Sequence, residues 1–241
     1  MPKRSGASAR KSWGPSIFQA MKTNVYIDAG NLYFGMLKGH PELKWLNLAA
    51  FARALLREDH EVGSVFYFTS NVKTFPHDQA AIERQNIYLQ ALRARGDVEI
   101  VLGHYNKNKT WLHALAAPCL DCDVSGGKRL IPVMKFEEKR TDVNIATAML
   151  RDAYTTDAES FALVSGDSDF SAPLDLIRRE IGKQVIVFNP KLRRSDLANH
   201  ASFYKDIPRD LPAQCQLPDE VPVGVNGRRL HRPPAWRAAE G

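Results

Sequence analysis

Long apolar runs are missing from this chain. No stretch approaches the ~18 to 20 uninterrupted apolar residues that a membrane helix requires, and the first residues lack the apolar core of a secretory signal. Cysteine is scarce: three residues, an odd number, do not make a disulfide framework. The expected setting is therefore the cytoplasm, away from membranes. Acidic residues are absent before position 21, where Lys3, Arg4, Arg10 and Lys11 stand among Ser, Gly and Ala without periodicity. That composition predicts a disordered basic arm over 1–20. Three enzyme signatures are missing as well. There is no G-x-S-x-G of a serine hydrolase. The first candidate strand runs into Asp28-Ala29-Gly30-Asn31, not the glycine-rich turn of a dinucleotide binder. A phosphatase of the haloacid dehalogenase type needs a second Asp two residues after the first, and Gly30 stands there.

What is present is a chain of 241 residues with a net charge of +6. A basic balance favours an acidic partner, and nucleic acid is the commonest one. Without the four cations of the arm, 29 basic residues face 27 acidic ones, so the distribution of charge matters more than its sum. Apolar periodicity alternates along the chain. Short strand-like runs at 24–28, 63–69, 98–102, 161–165 and 184–188 are separated by helical spacing at 46–56, 78–95, 141–153 and 170–181. Gly96 and Gly182 stand where two of these helices should stop. Strands alternating with helices of this length predict an α/β fold with a mainly parallel sheet, in one domain over 21–206. Segment 103–136 breaks the rhythm and reads as an insertion or a hairpin. Beyond residue 207, six prolines and few large apolar residues predict a flexible tail over 207–241.

Four aspartates stand out. Asp28 ends the first strand, Asp167 and Asp169 directly follow another, and Asp142 opens a helix. Strand C-termini and helix N-termini share one edge of a parallel sheet, so three distant segments should bring these acids to one cleft. Each alone has an ordinary explanation as a helix cap, which suits Asp142 and Asp169 best and Asp28 less well. Together they would repel unless a cation sat between them. Mg²⁺ or Mn²⁺, hard ions that take oxygen ligands, would suit such a site and its chemistry on phosphates.

The blocks Val25-Tyr26-Ile27-Asp28-Ala29-Gly30-Asn31-Leu32, Glu138-Lys139-Arg140-Thr141-Asp142-Val143-Asn144 and Ser165-Gly166-Asp167-Ser168-Asp169-Phe170 resemble the three signature blocks of NYN domains. These belong to the LabA-like part of the PIN-like nuclease superfamily, and the resemblance extends over about residues 22–190. It implies a PIN-like three-layer α/β/α sandwich and a Mg²⁺- or Mn²⁺-dependent ribonuclease. Asp28, Asp142, Asp167 and Asp169 match the family's metal-binding acids. Asn31 matches an Asn that helps to position a water or a phosphate, although Asn is also a common N-cap. In-line attack by a metal-bound water on the phosphate, the mechanism expected of such a centre, would leave 5′-phosphate and 3′-hydroxyl ends. PIN-like domains often pair, so a homodimer is an open expectation.

Lys135, Lys139 and Arg140 precede Asp142, while Lys107 and Lys109 lie near Tyr105 and Trp111. Lysine beside aromatics suits single-stranded RNA, with ionic contacts to phosphate and stacking on bases. The ordinary reading makes Lys107 and Lys109 solvated loop charges and Trp111 a core residue. Cys119-x-x-Cys122 has the spacing of half a zinc site, but only His104 or His113 stand near enough to complete it. Two alternatives to the ribonuclease stay open: a non-catalytic RNA- or protein-binding regulator on the same fold, and a nuclease that also cuts DNA.

Overall fold

The computed structural model describes residues 20–71, 79–113, 130–224 and 227–237, with the backbone alone for 105–107 and 136–138. The arm over 1–20, apart from Ala20, and the Cys119-x-x-Cys122 pair lie outside the described residues. The strands are β1 (Met21–Asp28), β2 (His60–Thr69), β3 (Glu99–Leu102), β4 (His104–His113), β5 (Leu130–Lys139), β6 (Ser160–Val164), β7 (Gln184–Asn189), β8 (Phe203–Asp206), β9 (Glu220–Val223) and β10 (Arg228–His231). The helices are α1 (Ala29–Leu32), α2 (Leu48–Leu55), α3 (Gln79–Arg95), α4 (Thr141–Thr155), α5 (Ser171–Asp175) and α6 (Leu211–Gln214).

Six strands form one sheet in the order β3-β2-β1-β6-β7-β8, and every pairing in it is parallel. Side chains of a strand alternate between the two faces of its sheet, and both faces here are apolar. Val25, Ile27, Val65, Ala162, Val164, Ile186 and Phe188 point to the layer holding α2 and α3. Tyr26, Phe66, Phe68, Phe161, Leu163, Val185 and Val187 point to the layer of α4 and α5. The result is a three-layer α/β/α sandwich. Continuous apolar strands are what a parallel sheet covered on both sides demands. On the α4 face the rings of Tyr26 and Phe66 stack at 5.1 Å, and the Tyr26 hydroxyl donates to Asp152 at 2.7 Å. Burial, followed by that bond and the Asp152 charge, raises the Tyr26 pKa and keeps the hydroxyl a donor.

Helix ends follow the glycines: Gly96 and Gly182 take φ of +70° and +76° just after α3 and after the turn at Glu180. The helix expected over 170–181 is divided into α5 and a π-helical turn at Leu176–Glu180. Segment 103–136 contains most of an antiparallel ribbon, β4 with β5, in register from His104↔Lys139 to His113↔Leu130. No described helix is long and apolar enough to cross a membrane.

The tail expectation is overturned. The described residues over 208–224 and 227–237 include α6 and the antiparallel pair β9–β10, with Trp236 buried against Trp45 and Tyr88. Leu211, Leu217, Val221 and Leu230 join the same core. The backbone is tied down too: Asn47 N donates to Cys215 O at 2.7 Å, Leu217 N to Trp45 O at 2.9 Å, and Trp45 Nε1 to Pro218 O at 2.8 Å. Proline fixes φ and lowers the entropy lost on ordering, so this composition suits a strap held by a few apolar residues, Leu211, Leu217, Val221, Leu230 and Trp236. Cys215 is a core thiol whose pKa burial pushes up.

His60 starts β2 in a buried site, its Nδ1 2.7 Å from Thr23 Oγ1. Burial holds its pKa below the ordinary 6.5, opposed by Asp59 and aided by Arg57 and Lys205. The unfolded chain thus binds this proton at higher pH than the folded one. Its contribution to stability is complete above pH 6.5 and is lost as pH falls below that value. Tm measured from about pH 8 to 5 should drop from the mid-6 range downward, and His60→Gln should flatten the drop. An unchanged slope in the variant would remove His60 as the cause.

Candidate active site

The strand order reverses between β1 and β6, which makes their C-terminal ends the switch point where α/β sheets bind ligands. Asp28 closes β1 there and is 4% exposed. It caps α1: Asp28 Oδ1 accepts from Asn31 N at 3.0 Å, and Oδ2 accepts from Asn31 Nδ2 at 2.6 Å. The Ser165 hydroxyl donates to the same Oδ2 at 3.0 Å from the end of β6. Asn31 Oδ1 in turn accepts from Gly166 N at 3.2 Å, and Ser165 Oγ accepts from Asp167 N at 3.2 Å. Asp28, Asn31, Ser165 and the Gly166-Asp167 backbone are therefore one hydrogen-bonded unit that joins two strand ends.

Capping falls differently from the expectation. The caps are Asp28 and Asp167, whose Oδ1 accepts from Asp169 N at 3.1 Å, while Asn31 bridges two loops instead of capping a helix. Asp169 is exposed, and its carboxylate has no hydrogen bond among the described residues. Asp142 is exposed in the first turn of α4, behind Arg140, which takes a left-handed φ of 79°. Because α4 runs into the start of β6, its N-terminus lies toward the C-terminal edge of the sheet, and it packs against the Ser168–Phe170 turn. A left-handed φ on a residue with a Cβ costs about 1 kcal/mol, and here it bends the chain from β5 into α4.

The turn at Gly166 has no room for a side chain. A Cβ there would lie 2.5 Å from Asn189 Oδ1 and 3.6 Å from Lys191 Cδ. Gly166→Ala should cost about 1–3 kcal/mol through overpacking and displace Asp167. Chemical denaturation should show the loss, whereas wild-type stability would contradict this packing.

Carboxylate oxygens, the donors that Asp28, Asp142, Asp167 and Asp169 carry, are of the type that suits a hard divalent cation. Among the described residues no three His, Cys, Asp or Glu side chains converge into a cage. Mg²⁺ does not require one, since it is usually held by one or two carboxylates, several waters and substrate phosphate. Oxygen donors of this type suit such an ion without a preformed cage.

The basic candidates do not form one patch. Lys109 faces Met134 across the ribbon, and the position of Lys107 faces Phe136, so these two alternate with Asn108, whose partner is Lys135. Lys135 and Lys139 belong to the opposite register set from Lys109 and Trp111. Trp111 is 58% exposed and is not a core residue. Two groups escaped sequence reasoning. Ser165 was visible only as part of its block, and its bond to Asp28 needed the strand pairing. The Tyr33-Phe34 pair, which no motif marks, is exposed.

Among curated proteins, the chain is similar to the 6-hydroxy-3-succinoylpyridine 3-monooxygenase HspA of Pseudomonas putida (strain DSM 28022 / S16). The two are 28% identical over 90% of this chain and 76% of that protein. Among solved structures it is similar to a protein of unknown function from Vibrio parahaemolyticus RIMD 2210633, at 21% identity and a TM-score of 0.48. That match covers 83% of this chain and 98% of that one. The profile of the NYN domain matches residues 22–207, a span that includes all four aspartates and Asn31. With its parallel sheet and this match, the chain belongs to the NYN domain family and has a nuclease-type fold.

Proposed function

We infer that the chain is a Mg²⁺- or Mn²⁺-dependent ribonuclease acting on single-stranded RNA. The observation that carries this reading is the hydrogen-bonded unit of Asp28, Asn31, Ser165 and Asp167 at the switch point of the sheet. Asp28, Asp142, Asp167 and Asp169 would hold the ion, directly or through water. When bound, the ion supplies Lewis-acid polarisation of the phosphate and neutralises charge on the leaving oxygen. Asn31 and Ser165 fix the Asp28 carboxylate in one orientation before substrate arrives, so no reorganisation is needed during reaction. The Asp169 carboxylate, which has no hydrogen bond among the described residues, is available to accept one from water. Hydrolysis adds a water oxygen to phosphorus and breaks the P–O3′ bond, and the departing 3′-oxygen takes up a proton. Lys139 and Arg140, directly before Asp142, would contact the phosphates of the strand, with Lys135 in the same register set as Lys139; Lys107 and Lys109 belong to the opposite set and would not grip the same stretch.

End-group analysis of cleaved RNA tests the chemistry. The expected ends are 5′-phosphate and 3′-hydroxyl; 2′,3′-cyclic phosphate ends would mean that the ribose 2′-oxygen attacks, which contradicts hydrolysis by water. Equal cleavage of DNA would keep the centre and remove RNA specificity. The likeness to the monooxygenase over 90% of the chain supports a second reading, oxygenation of a pyridine ring. Turnover of 6-hydroxy-3-succinoylpyridine in air with an added two-electron reductant, unaffected by Asp28→Asn, would favour it over nuclease action.

A further inference from the structure

Directly after α1 the chain makes a π-helical turn, Tyr33–Leu37, that leaves two aromatic rings in solvent. Tyr33 is 38% and Phe34 66% exposed, with their rings edge to face at 5.2 Å. Each carries a lysine: Lys38 Nζ lies 5.3 Å from the Phe34 centroid and Lys44 Nζ 5.2 Å from that of Tyr33. Exposed rings of this size are unfavourable in water unless something covers them.

The same turn is fused to a second basic element. A Cβ on Gly35 would lie 2.7 Å from Pro190 O, so the turn rests directly on the loop that follows β7. Asn189, 1% exposed, shapes that loop by donating Nδ2 to the carbonyls of Lys191 at 2.9 Å and Arg193 at 3.0 Å. Lys191 and Arg193 are exposed, and Lys191 Cδ would be 3.6 Å from a Cβ on Gly166, beside Asp167. None of Lys38, Lys44, Lys191 and Arg193 pairs with a carboxylate among the described residues. Two rings and four cations without a carboxylate partner among the described residues thus share the edge that carries Asp28. Helical rise puts Tyr33 about 8 Å along the axis from Asp28, within reach of the nucleotides adjoining the one at the carboxylates.

We propose that Tyr33 and Phe34, with Lys38, Lys44, Lys191 and Arg193, form a subsite that stacks unpaired bases and binds phosphates of a single RNA strand. This rests on the ribonuclease reading for the identity of the strand. Stacking on rings needs splayed bases, and therefore selects single strands over duplexes. The cations face a polyanion, and the carboxylates beside them set where the strand must not lie without a metal.

The test is anisotropy of a labelled single-stranded RNA with the full chain in EDTA, over a range of salt, with a duplex as comparator. The variants are the Tyr33→Ala/Phe34→Ala double and the Lys191→Ala/Arg193→Ala double. All four residues are exposed, and thermal melts confirm folding. The aromatic double should weaken single-strand binding roughly 10-fold or more with little change in salt slope. The cationic double should make the slope shallower by about 0.7 for each phosphate contact removed. Unchanged affinity in both doubles, or no binding of single-stranded RNA by the wild type, overturns the subsite. If the doubles bind weakly but the wild type cleaves nothing with any metal, the subsite stands and the nuclease reading falls.

Discussion

Asp28→Asn is expected to slow RNA cleavage by roughly 10²- to 10³-fold, the loss of several kcal/mol of charge stabilisation. The substitution keeps the size of the side chain and removes its charge. It also places an amide where Asn31 Nδ2 and Ser165 Oγ both donate to Oδ2, so one donor faces another or the amide turns over. A stability loss of about 1–3 kcal/mol should accompany it. RNA affinity in EDTA should stay within about twofold of wild type, because the rings and cations that grip the strand lie elsewhere. Asn31→Ala should also slow cleavage, but less, since Ser165 still holds Asp28. Wild-type activity in the Asp28 variant would remove this carboxylate from the chemistry.

Trp236→Ala should destabilise the protein by about 3–5 kcal/mol, the range for truncating a buried aromatic. In a chain of this size that corresponds to a Tm lower by roughly 10 °C. The ring is 9% exposed, with centroids 6.3 Å from Trp45 and 6.0 Å from Tyr88, and its loss opens a cavity beneath the β9–β10 hairpin. Truncation after residue 207 should be worse, because it also strips Leu217, Val221 and Leu230 from the core and the Pro218 carbonyl from Trp45 Nε1. A truncated chain that melts like the full one would return these residues to the status of a loose tail.

The sheet was legible because its strands are apolar on both faces and are separated by helical spacing, as Tyr26 against Val25 and Ile27 shows. Asp28 and Asp167 were legible for a topological reason: parallel strands end at one edge, whatever the connections between them. Local roles were less so. Which Asp caps which turn depends on backbone angles that sequence does not display, and Asn31 could be recognised as a bridge only once β1 and β6 were neighbours. The strap over 208–237 was misread because its apolar residues follow neither a 3.6 nor a 2.0 period. They are spaced to fit a surface that α2 and α3 build elsewhere in the chain. Tyr33 and Phe34 were hidden for the opposite reason, since apolar residues after a helix start are ordinarily core.

The most direct measurement of the central claim is cleavage of a labelled single-stranded RNA by purified protein with Mg²⁺, with Mn²⁺ and with EDTA. Cleavage that requires either ion, stops in EDTA and returns on adding excess metal is the predicted result. Cleavage that persists in EDTA, or well-folded protein that binds the RNA and leaves it intact with both ions, would contradict a metal-dependent ribonuclease.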